Sequence, residues 1–167
     1  MTDSAVLDLV NKKLLTDHLV LTINYDISNL NNNSNLKTSY DNYNRLVPIP
    51  SHGTQRLSNK TNNNKIIINN MINLYKKITN KELLIRRVSI AFCSLEEACE
   101  TDKFKQLDIF SIKEEKETIE KKDDKKLQEA ILKIKNKYGK NSILKGMNYL
   151  DGSTTRDRNK QVGGHKG

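Results

Sequence analysis

A glutamine, a leucine, an aspartate and two closing apolar residues stand in a row at Gln106-Leu107-Asp108-Ile109-Phe110, and the chemistry open to them is docking. Leu107, Ile109 and Phe110 can enter a preformed apolar pocket while Gln106 hydrogen-bonds at its rim, the usual division between anchors and register-setting groups. Arg86 and Arg87 lie in the strand-like run Leu84–Cys93. Neighbouring strand residues point to opposite faces, so Arg87 falls on the polar side with Ser89. Thr22 and Asn24 fall on the polar side of the alternating run Leu19–Asp26. Groups of this kind bind phosphate oxygens without reading base sequence. Arg45, His52, Arg56, Lys60 and Lys65 surround an expected hairpin and the helix after it, where side-chain cations and free backbone amides can both meet phosphate. The plain alternative for the strand and hairpin residues is an ordinary solvent-facing surface, and for the peptide it is that Ile109 and Phe110 fold back onto the domain as a satellite cluster.

Constellations for catalysis are missing from the sequence. It holds no Gly-rich phosphate loop, no His-Glu-x-x-His and no Gly-x-Ser-x-Gly. Cys93 and Cys99 have no histidine or thiol at metal-ligand spacing, and His165 beside Gly163-Gly164 falls far short of a ligand set. No metal or cofactor is expected for this chain.

Lysine and arginine total 29 against 20 aspartates and glutamates, a formal charge of +9 in 167 residues. Cations placed on phosphates release condensed counterions, so nucleic acid is the first candidate partner. Apolar residues at 35% and aromatics at 5% predict a small core with appendages. No apolar run nears the roughly 20 residues of a membrane span, and the N-terminus lacks a signal-peptide pattern. A cytoplasmic protein with no membrane partner is expected.

These residues must be positioned by a small set of elements. Val6, Leu9, Val10 and Leu14 predict an amphipathic helix over 3–15, capped by Thr2 or Ser4. Leu19, Leu21, Ile23, Tyr25 and Ile27 then alternate as the dry side of a strand. Asn29–Asn35 reads as a loop, and Leu36–Tyr40 and His52–Leu57 as short strands separated by a turn at Pro48 and Pro50. The asparagines at 62–64 cap a helix carrying Ile67, Ile68, Met71, Leu74, Tyr75 and Ile78. Leu83–Leu95 is the last strand, with Val88, Ile90 and Phe92 inward. A mixed-charge run, Lys113–Lys126, reads as linker or exposed helix. Leu127, Ala130, Ile131, Ile134 and Tyr138 form the stripe of a final helix ending near Gly139. The sum is an α+β fold: a mainly antiparallel four-stranded sheet with two helices packed on one face, plus an extended C-terminal segment.

Several of these segments resemble the C-terminal little-finger region of Y-family translesion DNA polymerases, in the UmuC-like (ImpB/MucB/SamB) branch of Gram-positive bacteria. Leu19–Asp26 resembles that domain's first strand and Leu84–Cys93 its last. Leu127–Ile131, Lys137–Lys140, Leu144–Met147 and Arg158–Lys166 resemble the C-terminal end of the branch. The resemblance implies that 106–110 docks on the bacterial sliding clamp and that the sheet lies against primer–template DNA. It divides the chain into a lead-in helix (1–16), the little-finger sheet and first helix (17–95), a charged linker with the clamp peptide (96–126), a C-terminal helix region (127–147) and a flexible tail (148–167). The family's palm carboxylates, and the magnesium they hold, have no counterpart here. The implied role is DNA gripping and clamp docking in translesion synthesis and SOS-type damage repair, without catalysis by this chain, either as an excised domain or as the product of a truncated gene. The alternative is a stand-alone homologue that competes for clamp or DNA as a regulator.

Overall fold

The computed structural model describes residues 1–32, 36–98, 112–162 and 165–166. Gln106, Leu107, Asp108, Ile109 and Phe110 lie outside the described residues, as do Cys99, Gly163 and Gly164. In chain order the elements are α1 (Thr2–Asn11), β1 (Leu14–Tyr25), α2 (Asn29–Asn32), β2 (Thr38–Tyr40), β3 (Leu46–Pro48), β4 (Ser51–Thr61), α3 (Asn64–Ile78), β5 (Ile85–Cys93), β6 (Glu96–Glu97), α4 (Ile112–Tyr138), α5 (Thr155–Arg158), β7 (Gln161–Val162) and β8 (His165–Lys166). They fall into two compact units, one built on 13–98 and the other on 3–12 with 99–167.

The first unit is an antiparallel sheet in the order β4-β1-β5, with the two-residue β6 also pairing with β1. Period-two alternation drives one side of β1 out of water, and Leu19, Leu21, Ile23 and Tyr25 are buried. The register places Phe92 beside Leu19, Ile90 beside Leu21 and Val88 beside Ile23, so the three apolar residues of β5 share that side. α3 covers β4 and β1 with Ile67, Met71 and Leu74, all buried. Its start is fixed by Asn63, whose side-chain oxygen accepts the amides of Lys65 at 2.9 Å and Ile66 at 3.2 Å, a cap worth about 1 kcal/mol.

Close approach of α3 to β4 depends on Gly53, where an added Cβ would sit 2.7 Å from Ile78 Cγ2 and 3.0 Å from Leu74 Cδ1. Neither neighbour is the free end of a long side chain. Gly53→Val is therefore expected to lower the unfolding free energy by about 1–3 kcal/mol through overpacking, read as a lower urea midpoint. An unchanged midpoint would show that α3 packs elsewhere.

Several sequence expectations are corrected along 1–98. The first helix stops at Asn11 instead of 15 because Lys13 takes a left-handed conformation (φ 53), and Leu14 opens β1. Its N-cap position is Met1, with no side-chain cap bond from Thr2 or Ser4. Ile27 lies beyond β1 and is 44% exposed. Asn29 is buried instead of looped out: its amide nitrogen donates to the carbonyls of Asp26 (2.8 Å) and Leu84 (3.0 Å), and its oxygen accepts the Leu84 amide (2.9 Å). It thereby replaces ladder bonds where the sheet ends. The segment 38–40 pairs with 46–48 as a separate ribbon, and the strand containing His52–Leu57 joins the main sheet beside β1. One helix, α3, packs on the sheet within this unit.

The second unit holds α1 and the C-terminal elements. α4 runs through the mixed-charge segment without a break and ends where Gly139 turns to φ 94. The expected apolar stripe of α4 is mostly outward: Leu127 is 57% exposed and Tyr138 66%, whereas Gln128 is buried. In the tail a 3-10 turn at Gly146–Tyr149 precedes α5, and Arg156 lies 5.4 Å from the centre of the Tyr149 ring. β7 and β8 pair as a short ribbon. Lys145 pairs with Asp3 at 2.8 Å, tying α1 to the C-terminal segment. No helix among the described residues is long and apolar enough to cross a membrane.

Candidate nucleic-acid interface

The side of the sheet away from α3 gathers polar residues from all three long strands. Register carries the alternation of β1 across to its neighbours: His18 pairs with Arg56 and Cys93, Val20 with Thr54 and Ala91, Thr22 with His52 and Ser89, and Asn24 with Arg87. Paired residues of antiparallel strands share a face. Thr22, Asn24, His52, Arg56, Arg87 and Ser89, drawn from three distant stretches of sequence, thus stand on one surface. His52, Arg56 and Arg87 are exposed along its edges, and Thr22, Asn24 and Ser89 are half-buried toward its middle.

Within the face Thr22 Oγ1 and His52 Nδ1 are 2.9 Å apart, a cross-strand hydrogen bond. Arg56 and Arg87 lie on opposite edge strands with β1 between them. At the usual strand spacing of about 4.8 Å, two strand steps put their Cα atoms in rows about 10 Å apart. A surface with donors in the middle and cations at both edges offers hydrogen bonds and positive charge, the chemistry that suits phosphate oxygens.

Arg86 is set apart by a bulge. The ladder steps from Asn24–Arg87 to Tyr25–Ile85, leaving Arg86 as the extra residue, and bulges of this kind re-aim a side chain. Asp26 nearby has its carboxyl held below the usual range, first by the Ser28 amide and more weakly by the Arg86 charge.

The remaining candidates lie elsewhere. Arg45 sits in the turn between β2 and β3 and is bonded to Asp41, Nη2 to Oδ2 at 2.7 Å. That guanidinium, followed by the Arg45 amide, holds the Asp41 carboxyl below its ordinary range. Lys60, near the end of β4, is paired with Glu96, which raises the ammonium's pKa. Lys65 is in the first turn of α3, the element covering the opposite side of the sheet. Arg45 and Lys60 therefore have their charge partly neutralised, and Lys65 is on a different element from the polar face.

Two further residues join the face, His18 by the alternation of β1 and Thr54 by its place in β4 once the β1–β4 register is known. Thr54 lies between His52 and Arg56 at the same parity, and His18 continues the polar side of β1 one step before Val20. Cys93 is exposed at that end and has a free thiol. Among the described residues no group of three or more histidine, cysteine, aspartate or glutamate side chains is placed to hold a metal ion.

The chain is an α+β protein built on an antiparallel sheet. No protein-family model matches it, and neither a curated protein nor a solved structure does.

Proposed function

We propose that this chain is a sequence-nonspecific DNA-binding module that also docks on a bacterial sliding clamp, serving a Y-family polymerase in translesion synthesis during the response to DNA damage. The observation that carries the DNA-binding part is the convergence of Arg56, Arg87, His52, Thr22, Asn24 and Ser89 on one open sheet face. The net charge of +9 supports it, because binding through phosphate neutralisation needs excess cations more than a shaped pocket. The clamp-docking part rests on the residue types at 106–110. Catalysis is assigned to other parts of the parent polymerase, and binding is the activity assigned here.

A titration of fluorescent primer–template DNA with the full chain across a salt series tests the reading. With about four to six phosphates neutralised, the plot of log affinity against log salt is expected to fall with a slope between about −3.5 and −5.5. Affinity should vary little among duplexes of different sequence. A salt-insensitive interaction, or strong preference for one sequence, would contradict phosphate-led binding.

A further inference from the structure

The ribbon of β2 and β3 ends in a turn that the sheet face does not use. Tyr43 in that turn is 79% exposed and Tyr40 beside it 70%. The turn itself is tightly specified by Asp41. Asp41 Oδ1 accepts the amides of Tyr43 and Arg45, each at 2.9 Å, and Oδ2 accepts Arg45 Nε at 2.9 Å. Asn44 is left-handed (φ 57), and its amide donates to the Asp41 carbonyl at 2.9 Å. Asp41 donates its own amide to the Arg45 carbonyl at 3.0 Å, closing the loop.

This scaffold sets the Arg45 guanidinium 5.1 Å from the centre of the Tyr43 ring. A cation that a carboxylate holds in place lies over the ring, and Tyr43 is otherwise largely exposed. A ring fixed in this way loses little conformational freedom when a flat partner stacks on it. Tyr40 and Leu46 face each other across the ribbon, next to that turn, and are both exposed. Lys37 is exposed at the base of the ribbon, where its carbonyl accepts the Ile49 amide at 3.1 Å.

The ribbon is also continuous with the proposed DNA face. β3 leads through Ile49 and Pro50 into Ser51, which pairs with Ile23, and the next residue of β1, Asn24, pairs with Arg87. The turn therefore issues from the end of the sheet that carries His52 and Arg87. We infer that Tyr43, backed by Arg45 and flanked by Tyr40, stacks on an unpaired base of the single-stranded template that adjoins the gripped duplex. Aromatic stacking accepts any base, which suits a module that follows template through damaged positions. This inference rests on the DNA-binding reading above and adds a single-strand subsite to it.

The test compares three DNAs bound by the full chain: a blunt duplex, the same duplex with a 5′ thymidine overhang, and the same overhang made of abasic sugars. The thymidine overhang is expected to tighten binding by about tenfold or more, and the abasic overhang to lose that gain. Tyr43→Ala should lose it too, Tyr43→Trp should keep it, and neither should alter blunt-duplex affinity. Blunt-duplex binding with no gain from the thymidine overhang would overturn this inference alone. An equal gain from abasic and thymidine overhangs, or an undiminished gain in Tyr43→Ala, would do the same by assigning the contact to phosphate or to other residues. Failure to bind any of the three DNAs would remove the DNA-binding reading and this subsite with it.

Discussion

Replacing Gln106, Leu107 and Phe110 together with alanine is expected to abolish binding to a bacterial sliding clamp and to leave DNA affinity unchanged. The magnitude follows from how short docking peptides bind. A few buried anchors carry most of the energy, and each truncated anchor costs about 2 kcal/mol or more. Loss of two apolar anchors and the rim glutamine together therefore reaches at least a thousandfold. DNA affinity is expected to survive because the proposed phosphate contacts lie on β1, β4 and β5, between His18 and Cys93 in sequence. Parallel measurements on immobilised clamp and on labelled duplex check both halves. Equal loss of the two activities would refute the separation of the two sites.

Arg56→Ala combined with Arg87→Ala is expected to weaken duplex binding by about a hundredfold at low salt. Each arginine stands on an edge strand of the face, where its charge-assisted hydrogen bonds to phosphate are worth about tenfold apiece. The salt dependence should become shallower by about two units, since two fewer phosphates are neutralised. The same double change should leave unfolding nearly untouched, because both side chains are exposed and the apolar side of the sheet is built from other residues. Removing Arg45 and Lys60 instead should have a smaller effect on duplex binding, as Asp41 and Glu96 already hold their charges. A comparable loss from both pairs would show that binding follows net charge and owes nothing to the face.

Much of the sheet was legible in the sequence because β1 and β5 are long enough for strict alternation to declare both sides. The asparagine cap of α3 and its buried Ile67, Met71 and Leu74 were legible for the same reason, a strong period with a defined start. What escaped was set by contacts between distant residues. Asn29 looks like loop filler, and its burial is explained only by the Asp26 and Leu84 carbonyls it bridges. The partner of 38–40 was misjudged because Pro48 reads as a turn residue, although in β3 its missing N–H falls at the edge of a two-stranded ribbon. In α4 the helical period was correct, but the side turned inward is marked by Gln128. Periodicity finds a stripe and does not say whether anything covers it.

The candidate face was legible in part. Thr22, Asn24, Arg87 and Ser89 follow from alternation within two strands. That His52 and Arg56 join them required the β1–β4 register, which no local pattern fixes. The Tyr43 platform was passed over because a tyrosine among asparagines and an aspartate reads as an ordinary turn until the Asp41 scaffold is seen.

Titrating the isotope-labelled full chain with a short blunt duplex, and following each backbone amide by NMR, locates the bound DNA on the protein. The largest shifts are expected at His18–Asn24, His52–Arg56 and Arg87–Ala91, with little change at the exposed lysines of α3, Lys76 and Lys77. Dominant shifts on α3 or on the lysines of α4, with the sheet face silent, would rule out DNA binding through the sheet.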